Sequence, residues 1–551
     1  MNIYNQLKSR VLALFFLFLC LFGGLMIQLV RIQLLDGQEL AFKALGQRTQ
    51  KIDLAIPRGE IYDRQMIPLT DRTKVQSLVI FPQIIQNKKE LARFLTEMVN
   101  ISEKEIFLKL ENNTYPFRLG APLNEEVADY LKEINIPGIL VVEEKKRYES
   151  RQLAAHLLGY INTIDNRGVA GLEKALDPLL KKQAGESVAI SMDAHKNLIW
   201  GLGVKKQKPL ALESKKVVLT LDYQVQKIVE SVMDRQIRKG AIVVMDPYTG
   251  DVLAMASRPN FNPNRVYTFF NQGNAALMNR AISGYPPGSI FKIITASTAL
   301  EEDLVKMNDK FYCPGYIMVK NLKMSCHERK GHGEVNLVQG FAKSCNPTFI
   351  TVGDKVGGEK LLQYSLKFGL GQPTGIGLSE EGKGNLPLGR TLYPGDVANL
   401  SIGQGFLEVT PLQAAVMLST IVNNGERIKP RIIKEIINGK GEIIRKFEVE
   451  RAERVISPET AGKVRVMLEA VTQYGTAKSA NVPQIGSAGK TGSAQIGKSE
   501  EDLSHAWFVG YAPTKQQPRW VVSIFIEEGK SGGAVAAPVF KEVIEGILKL
   551  K

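Results

Sequence analysis

Twenty consecutive positions, 11–30, carry a single strongly polar side chain, Gln28. As a helix rising about 1.5 Å per residue they reach roughly 30 Å, the depth of a bilayer's hydrocarbon core, so a transmembrane helix is predicted there. The run is longer than the apolar stretch of a signal peptide and no A-x-A site follows Val30, which favours an uncleaved anchor. Helical apolar spacing continues through 31–51 as a stalk. A polar turn at 57–60 leads into strand alternation at 61–64. The pattern over 87–136 is helical and charged, and a glycine turn at 168–171 opens another helix. From 217 the pattern changes. A strand at 217–221 ends in Asp222 and a helix at 223–238 follows. Apolar runs at 240–246 and 251–257 flank Pro247-Tyr248-Thr249-Gly250 as a hairpin. Three further strand patterns lie at 487–495, 506–511 and 519–526. These five strands can share one antiparallel sheet. The region between is read as mostly helical, including 291–300, 361–368 and a helix with Thr410 at the N-cap and Pro411 at its first position. Residues 538–551 read as an amphipathic helix covering the sheet.

The expected class is therefore α+β, with a tail at 1–10, an anchor at 11–30, a non-catalytic region at 31–215 and a second domain at 216–551. Lys8 and Arg10 before the anchor place the N-terminus on the cytoplasmic side and the rest of the chain outside. The net charge of +15 does not point to nucleic acid, because Lys and Arg are scattered and no zinc-finger or aromatic-basic motif occurs. A basic chain outside the membrane faces anionic headgroups and wall polymers instead. Of the four cysteines, Cys20 lies in the anchor, and Cys313 with Cys326 would close a short disulfide loop. Cys313, Cys326, His327 and His332 also read as a metal-ligand pattern, but C-x12-C-H-x4-H lacks the close C-x-x-C pairs of structural zinc sites, so no metal is expected.

Three short motifs carry the chemistry. In Tyr285-Pro286-Pro287-Gly288-Ser289-Ile290-Phe291-Lys292, a hydroxyl and an amine stand three residues apart at a helix start. A neutral Lys292 can take the Ser289 proton, and the N–H groups of the helix start favour an oxyanion. Ser344-Cys345-Asn346 adds a second hydroxyl and an amide. Lys490-Thr491-Gly492 lies on a strand where glycine permits close backbone approach. S-x-x-K, S-x-N and K-T-G in this order form the set used by penicillin-binding proteins and β-lactamases. All five histidines fall outside these motifs, which leaves a Ser-His-Asp triad little support.

With these motifs the chain resembles the class B penicillin-binding proteins, membrane-anchored D,D-transpeptidases that cross-link peptidoglycan. The resemblance extends to Arg58-Gly59-Glu60-Ile61-Tyr62-Asp63-Arg64, Gly171-Leu172-Glu173, Gly331-His332-Gly333, Ile402-Gly403-Gln404-Gly405 and Trp507-Phe508. Ser493, where many relatives have threonine, keeps the hydroxyl. The family implies a single-pass protein of the cell membrane, an elongated α/β pedestal over 31–215 and an extracytoplasmic penicilloyl-serine-transferase domain over 216–551, whose five-stranded antiparallel sheet is flanked by helices. It implies Ser289 as nucleophile toward D-Ala-D-Ala, Lys292 as base, Ser344 as proton relay, Asn346 as the holder of Lys292 and the substrate amide, and Lys490 as second cation. Thr491, Gly492 and Ser493 would be substrate-binding, Thr491 with Ser493 holding the substrate carboxylate, and the N–H groups of Ser289 and Ser493 would form the oxyanion hole. No cofactor is implied. The implied partners are stem peptides, β-lactams and, through Gly23-Gly24 and Gln28 in the anchor, a membrane glycan polymerase of the shape, elongation, division and sporulation group. Elongation or shape maintenance is the expected process. Septal or spore-cortex synthesis is the alternative, and a non-catalytic scaffold that activates a polymerase is the rival of another class.

Overall fold

A computed structural model describes residues 2–37, 40, 49–53, 58–134, 136–162, 165–181, 187–191, 204–207, 215–270, 273, 275–495 and 504–550. Helix α1, Asn2–Val30, runs into a π-helical turn at Arg31–Leu35, and Leu7–Leu35 is long and apolar enough to cross a membrane. The helical stalk expected over 31–51 does not hold at its far end, where Thr49–Asp53 is a strand paired with Ser187–Ser191. Cross-strand pairing over these five residues overrides the helical spacing there. Residues 38–39 and 41–48 of that prediction lie outside the described ones.

The chain divides into two compact units. One comprises Met1–Pro57, Lys74–Lys145 and Gln183–Leu212, and the other Arg58–Thr73, Lys146–Lys182 and Glu213–Lys551. In the first, helices Lys88–Thr96, Glu103–Asn112 and Glu125–Ile134 bury Leu91, Leu95, Ile106 and Leu110 with Leu78 and Ile80 of a three-stranded sheet. The strand Phe117–Leu123 interrupts the stretch read as helical throughout, because it completes that sheet beside Thr73–Ile80.

The larger unit is built on strands β1 (Gly240–Met245), β2 (Val252–Arg258), β3 (Ala488–Gln495), β4 (Ser504–Ala512) and β5 (Trp520–Ile526), ordered β2-β1-β5-β4-β3. All neighbouring pairs are antiparallel, so the anticipated sheet is present with β3 at one edge. The Asp246 carboxylate accepts from Tyr248 N at 2.8 Å and Thr249 N at 3.2 Å, which shapes the hairpin turn. Helix α2, Tyr223–Gln236, packs on β2; Asp222 caps it, accepting from Gln224 N and Val225 N. Helix α3 is Lys292–Glu301 and α4 is Asn346–Val356. Helix α5, Pro411–Val422, is buried along its whole length against β1, β4 and β5; Thr410 is the anticipated N-cap and also forms a capping box with Gln413. Helix α6, Ala537–Leu548, packs on α2 and β4.

Residues 58–73 and 146–182, which fall within the stretch read as non-catalytic, belong to this larger unit. Ile61 and Tyr62 pair in parallel with Val217 and Val218. Glu173, fully buried, accepts from Arg58 Nε, from Arg147 Nε at 2.8 Å and from Tyr148 OH at 3.0 Å, and Ile61, Leu157, Leu158 and Leu172 join the main core. The stretch between β2 and β3 is not mostly helical at 310–336, where four short strands occur: Lys310–Cys313, Tyr316–Val319, Leu322–Ser325 and Gly333–Asn336. Each is four residues long, too short to show a period of two.

Candidate active site

Ser289 lies in a 3₁₀ turn, Gly288–Phe291, that runs directly into α3 at Lys292. Side chains three apart eclipse in a 3₁₀ helix, so the turn sets Ser289 and Lys292 on one face where it enters α3. Pro286 and Pro287 prevent an earlier helix start. Gly288 has φ +55°, and a Cβ there would lie 2.6 Å from the Ser493 carbonyl oxygen of β3. A Cβ on Gly492 would lie 2.7 Å from the Pro287 carbonyl oxygen. Glycine at both positions lets the serine turn and edge strand β3 meet backbone to backbone. From β4, the Trp507 indole N–H donates to the Pro286 carbonyl at 2.9 Å and ties the two together.

The S-x-N motif forms the turn into α4, with Ser344 in the left-handed region at φ +53°. Lys292 Nζ donates to Asn346 Oδ1 at 2.7 Å, to the Ser344 carbonyl at 2.8 Å and to Ser344 Oγ at 3.4 Å. Lys490 Nζ donates to Ser344 Oγ at 2.9 Å and to the Thr491 carbonyl at 3.1 Å. One serine hydroxyl therefore stands between two lysines, both fully buried. Burial pulls the Lys292 amine down to about 8, against a smaller opposing pull from the Cys345 and Cys326 thiols. Burial, and then the neighbouring Lys292 charge, hold Lys490 well below the ordinary lysine range. A neutral amine can accept a proton, so the arrangement supplies a base without histidine.

All eight residues singled out in the sequence fall at this place. Ser289, Ser344, Asn346, Thr491 and Ser493 line a cleft of about 1930 Å³, with Lys292 and Lys490 behind them and Gly492 at the backbone contact. Thr491 is nearly buried and Ser493 is exposed, its Oγ accepting from Gly532 N at 3.3 Å. Two contributors escaped the motif reading. Thr476 and Thr491 share a hydroxyl–hydroxyl hydrogen bond at 2.7 Å, and the Ser325 carbonyl accepts from Asn346 Nδ2 at 3.1 Å. Thr476 carried no signal beyond a lone threonine after Tyr474-Gly475. Ser325 acts through its backbone, which no residue type reveals.

Cys313 and Cys326 are free thiols rather than a disulfide, and they gather with Cys345 and His332 beside the S-x-N turn. Among the described residues this is the group able to hold a metal ion.

The family profile described as penicillin binding protein transpeptidase domain matches residues 240–545, and that described as penicillin-binding protein dimerisation domain matches 54–209. Stage V sporulation protein D of Bacillus subtilis is 33% identical, covering 97% of this chain and 85% of its own length. Peptidoglycan D,D-transpeptidase MrdA of Acinetobacter baumannii is 28% identical (92% and 83%), and peptidoglycan D,D-transpeptidase FtsI of Buchnera aphidicola is 30% identical (100% and 98%). Penicillin binding protein 3 of Mycobacterium tuberculosis, crystallised with aztreonam, superposes with a TM-score of 0.65 at 28% identity, over 91% of this chain and 97% of its own.

Proposed function

The chain belongs to the class B penicillin-binding proteins, and from that premise we infer that it is a peptidoglycan D,D-transpeptidase working through an acyl-serine and inhibited covalently by β-lactams. The observation that carries the reading is the Ser344 hydroxyl held between Lys292 and Lys490 beside Ser289. Neutral Lys292 takes the Ser289 proton as Oγ attacks the carbonyl carbon between two D-alanines. The N–H groups of Ser289 and Ser493 receive the oxyanion, and the left-handed turn at Gly288 supports this by bringing the two backbones together. The C–N bond then breaks. The proton taken by Lys292 reaches the leaving amine through Ser344 and D-alanine departs; an acceptor amine then attacks the ester carbon, the C–O bond to Ser289 breaks as the new amide C–N bond forms, and the proton lost by the amine returns to Ser289 Oγ. Thr491, oriented by Thr476, and Ser493 hold the donor's carboxylate, while Asn346 holds its amide. No step calls on a cofactor.

A fluorescent penicillin is expected to label the purified protein in a denaturing gel and to leave Ser289→Ala unlabelled. Equal labelling of both would refute the mechanism. Prompt loss of label from the native protein would instead indicate a β-lactamase. If Ser289→Ala still supports growth in place of the native chain, the scaffold role replaces the enzyme.

The anchor's length and its flanking Lys8 and Arg10 support a single-pass protein of the cell membrane with residues 1–10 inside and the catalytic unit outside. Protease added to intact spheroplasts should remove the catalytic unit; full protection would reverse the topology. Gly23-Gly24 and Gln28 support a polymerase of the shape, elongation, division and sporulation group as partner of α1. A cysteine at position 24 should cross-link to it, and failure to do so would reject that face. The process assigned is elongation or shape maintenance, in keeping with the MrdA relative. Sidewall localisation of the tagged protein is the expected result, and septal or forespore localisation would overturn it.

A further inference from the structure

A second cavity in the larger unit, of about 230 Å³, shares no lining residue with the acyl-transfer cleft. Residues between His156 and Lys174 form one wall, Phe261 and Leu277–Ser283 another, and exposed Glu380 completes it. Three rings make the apolar side. Phe261 meets His156 edge to face at 4.9 Å and Tyr160 at 6.0 Å, and Leu277 packs on the same cluster. The His156 ring is neutral, because burial pulls its pKa down to about 4 against the Ala276 carbonyl, to which Nε2 donates at 2.7 Å.

The first wall is a hairpin held to its neighbour by backbone. Ile161–Asn162 pairs with Arg167–Gly168, and Val169 N donates to the Tyr160 carbonyl at 2.9 Å. Gly159 has φ +82°, and a Cβ there would lie 1.8 Å from the Ala170 carbonyl oxygen, so only glycine lets these two lining segments close. On the opposite wall Asn279 caps the turn Arg280–Ile282, its Oδ1 accepting from Ala281 N at 3.1 Å. That bond fixes which end of the amide is left over. Asn279 is only 7% exposed, and among the described residues its Nδ2 has no acceptor. A buried donor without an acceptor is costly, and a ligand carbonyl would supply one.

Lys174 and Glu380 carry opposite charges and the rest of the lining is neutral, so the cavity suits an uncharged ligand. Its volume falls below the roughly 300–1,000 Å³ of sites for drug-sized ligands, which limits the occupant to one small unit. That unit must offer an apolar face to the rings, a carbonyl to Asn279 and hydroxyls to Lys174 and Glu380. An N-acylated hexose offers all three, and its C–H groups suit the negative faces of aromatic rings. We propose that this cavity seats one N-acetylated amino sugar of a glycan strand, its acetamido carbonyl on Asn279 Nδ2 and its ring against Phe261 and Tyr160. The choice of sugar rests on the peptidoglycan substrate proposed above. The site holds the glycan of a strand, whereas the cleft takes its peptide.

The probe is chitotetraose, a peptide-free chain of N-acetylglucosamine, titrated by calorimetry into the full-length protein in detergent with and without benzylpenicillin. Binding should be equal in both, and cellotetraose, which lacks the acetamido groups, should bind about tenfold more weakly. Asn279→Ser keeps a capping oxygen but has no amide donor, and should weaken chitotetraose by about 3- to 10-fold. Tyr160→Leu should weaken it by a similar factor, whereas Lys227→Gln, exposed on α2 outside the lining, should not. Should the variants fail to fold, hydrogen exchange of the native protein decides. Chitotetraose should slow exchange in peptides spanning 156–170 and 275–283, and protection confined to the cleft would overturn the site. The proposal also falls if chitotetraose binds no more tightly than cellotetraose, if benzylpenicillin displaces it, or if folded Asn279→Ser and Tyr160→Leu bind it as the native protein does. Tighter binding of N-acetylphenylalanine amide than of chitotetraose would assign the cavity to a partner's peptide and reject the sugar. Penicillin labelling is scored separately, so failure of the transpeptidase reading and failure of the glycan site are told apart.

Discussion

Replacing Asn346 by aspartate puts a carboxylate where an amide oxygen now accepts from Lys292 Nζ at 2.7 Å, with almost no change of shape. Burial sets the Lys292 amine at about 8. At pH 7 about one-tenth of it is then neutral, against roughly three in ten thousand for an ordinary lysine near 10.5, so burial makes the base about 300-fold more available. A negative charge in hydrogen-bond contact favours the ammonium, and such neighbours move a pKa by about 1–3 units. In Asn346→Asp the direction is upward, and the neutral fraction at pH 7 falls by about 10- to 1000-fold. The assay is the rate of Ser289 labelling by a fluorescent penicillin from pH 6 to 10. For the native protein the rate should rise about tenfold per unit and level off near pH 8. In Asn346→Asp the same rise should be displaced by about 1–3 units to higher pH. Asn346→Ala removes the acceptor without adding charge and should move the rise down if it moves at all. A native rate still climbing at pH 10, or an Asn346→Asp rate that is lower at every pH with its midpoint unmoved, would refute Lys292 as the base.

The same burial has a signature in stability. Folded Lys292 releases its proton near pH 8 and the unfolded chain near 10.5, so stability rises with pH between those values. A penalty of about 3 kcal/mol, present in full below pH 8, is relieved by about pH 10.5. Lys292→Met should abolish labelling, and the melting-temperature difference between variant and native protein should shift in the native protein's favour across that window; a constant difference would contradict it. Trp507→Phe leaves the Pro286 carbonyl without its indole donor. It should cost about 1–3 kcal/mol and slow labelling, measured by thermal denaturation and gel; unchanged values would show the clamp to be idle. Glu173→Gln leaves Arg58 and Arg147 facing a neutral group in a buried site. Arg58 keeps Asp177 and Arg147 keeps Asp71, so a loss of up to about 3–5 kcal/mol is expected in chemical denaturation, and a loss below about 1 kcal/mol would mean that those two carboxylates suffice.

The elements with strong local signals were legible in the sequence. Proline and glycine marked the start of the Ser289 turn, Thr410 and Pro411 marked α5, apolar runs on either side of a Pro-Tyr-Thr-Gly turn marked β1 and β2, and short strand patterns marked β3 to β5. The ordered motifs brought all eight candidate residues to one cleft, because their chemistry resides in residue type. What escaped depends on distant partners. Thr476 matters only because Thr491 lies 2.7 Å from it, and Ser325 contributes a carbonyl. The strands at 310–336 are too short for periodicity, and the Cys345 thiol joins Cys313 only after two glycine turns have folded between them. The assignment of 58–73 to the catalytic unit escaped for the same reason, since Ile61 finds its partner at Val217.

That last pairing sets a timetable for the ribosome. Ile61 and Val217 are 156 positions apart, and at about 5–20 residues per second their synthesis is separated by about 8–30 seconds. Through that interval the apolar side of 58–73 has no strand to lie against, and Arg58 awaits Glu173. A chain halted before residue 217 would therefore present an unfinished edge, and a catalytic unit expressed from 216 onward would lack Ile61, Leu157, Leu158 and Leu172 from its own interior. Cut down to the piece that bears its motifs, the enzyme would give up part of its own interior.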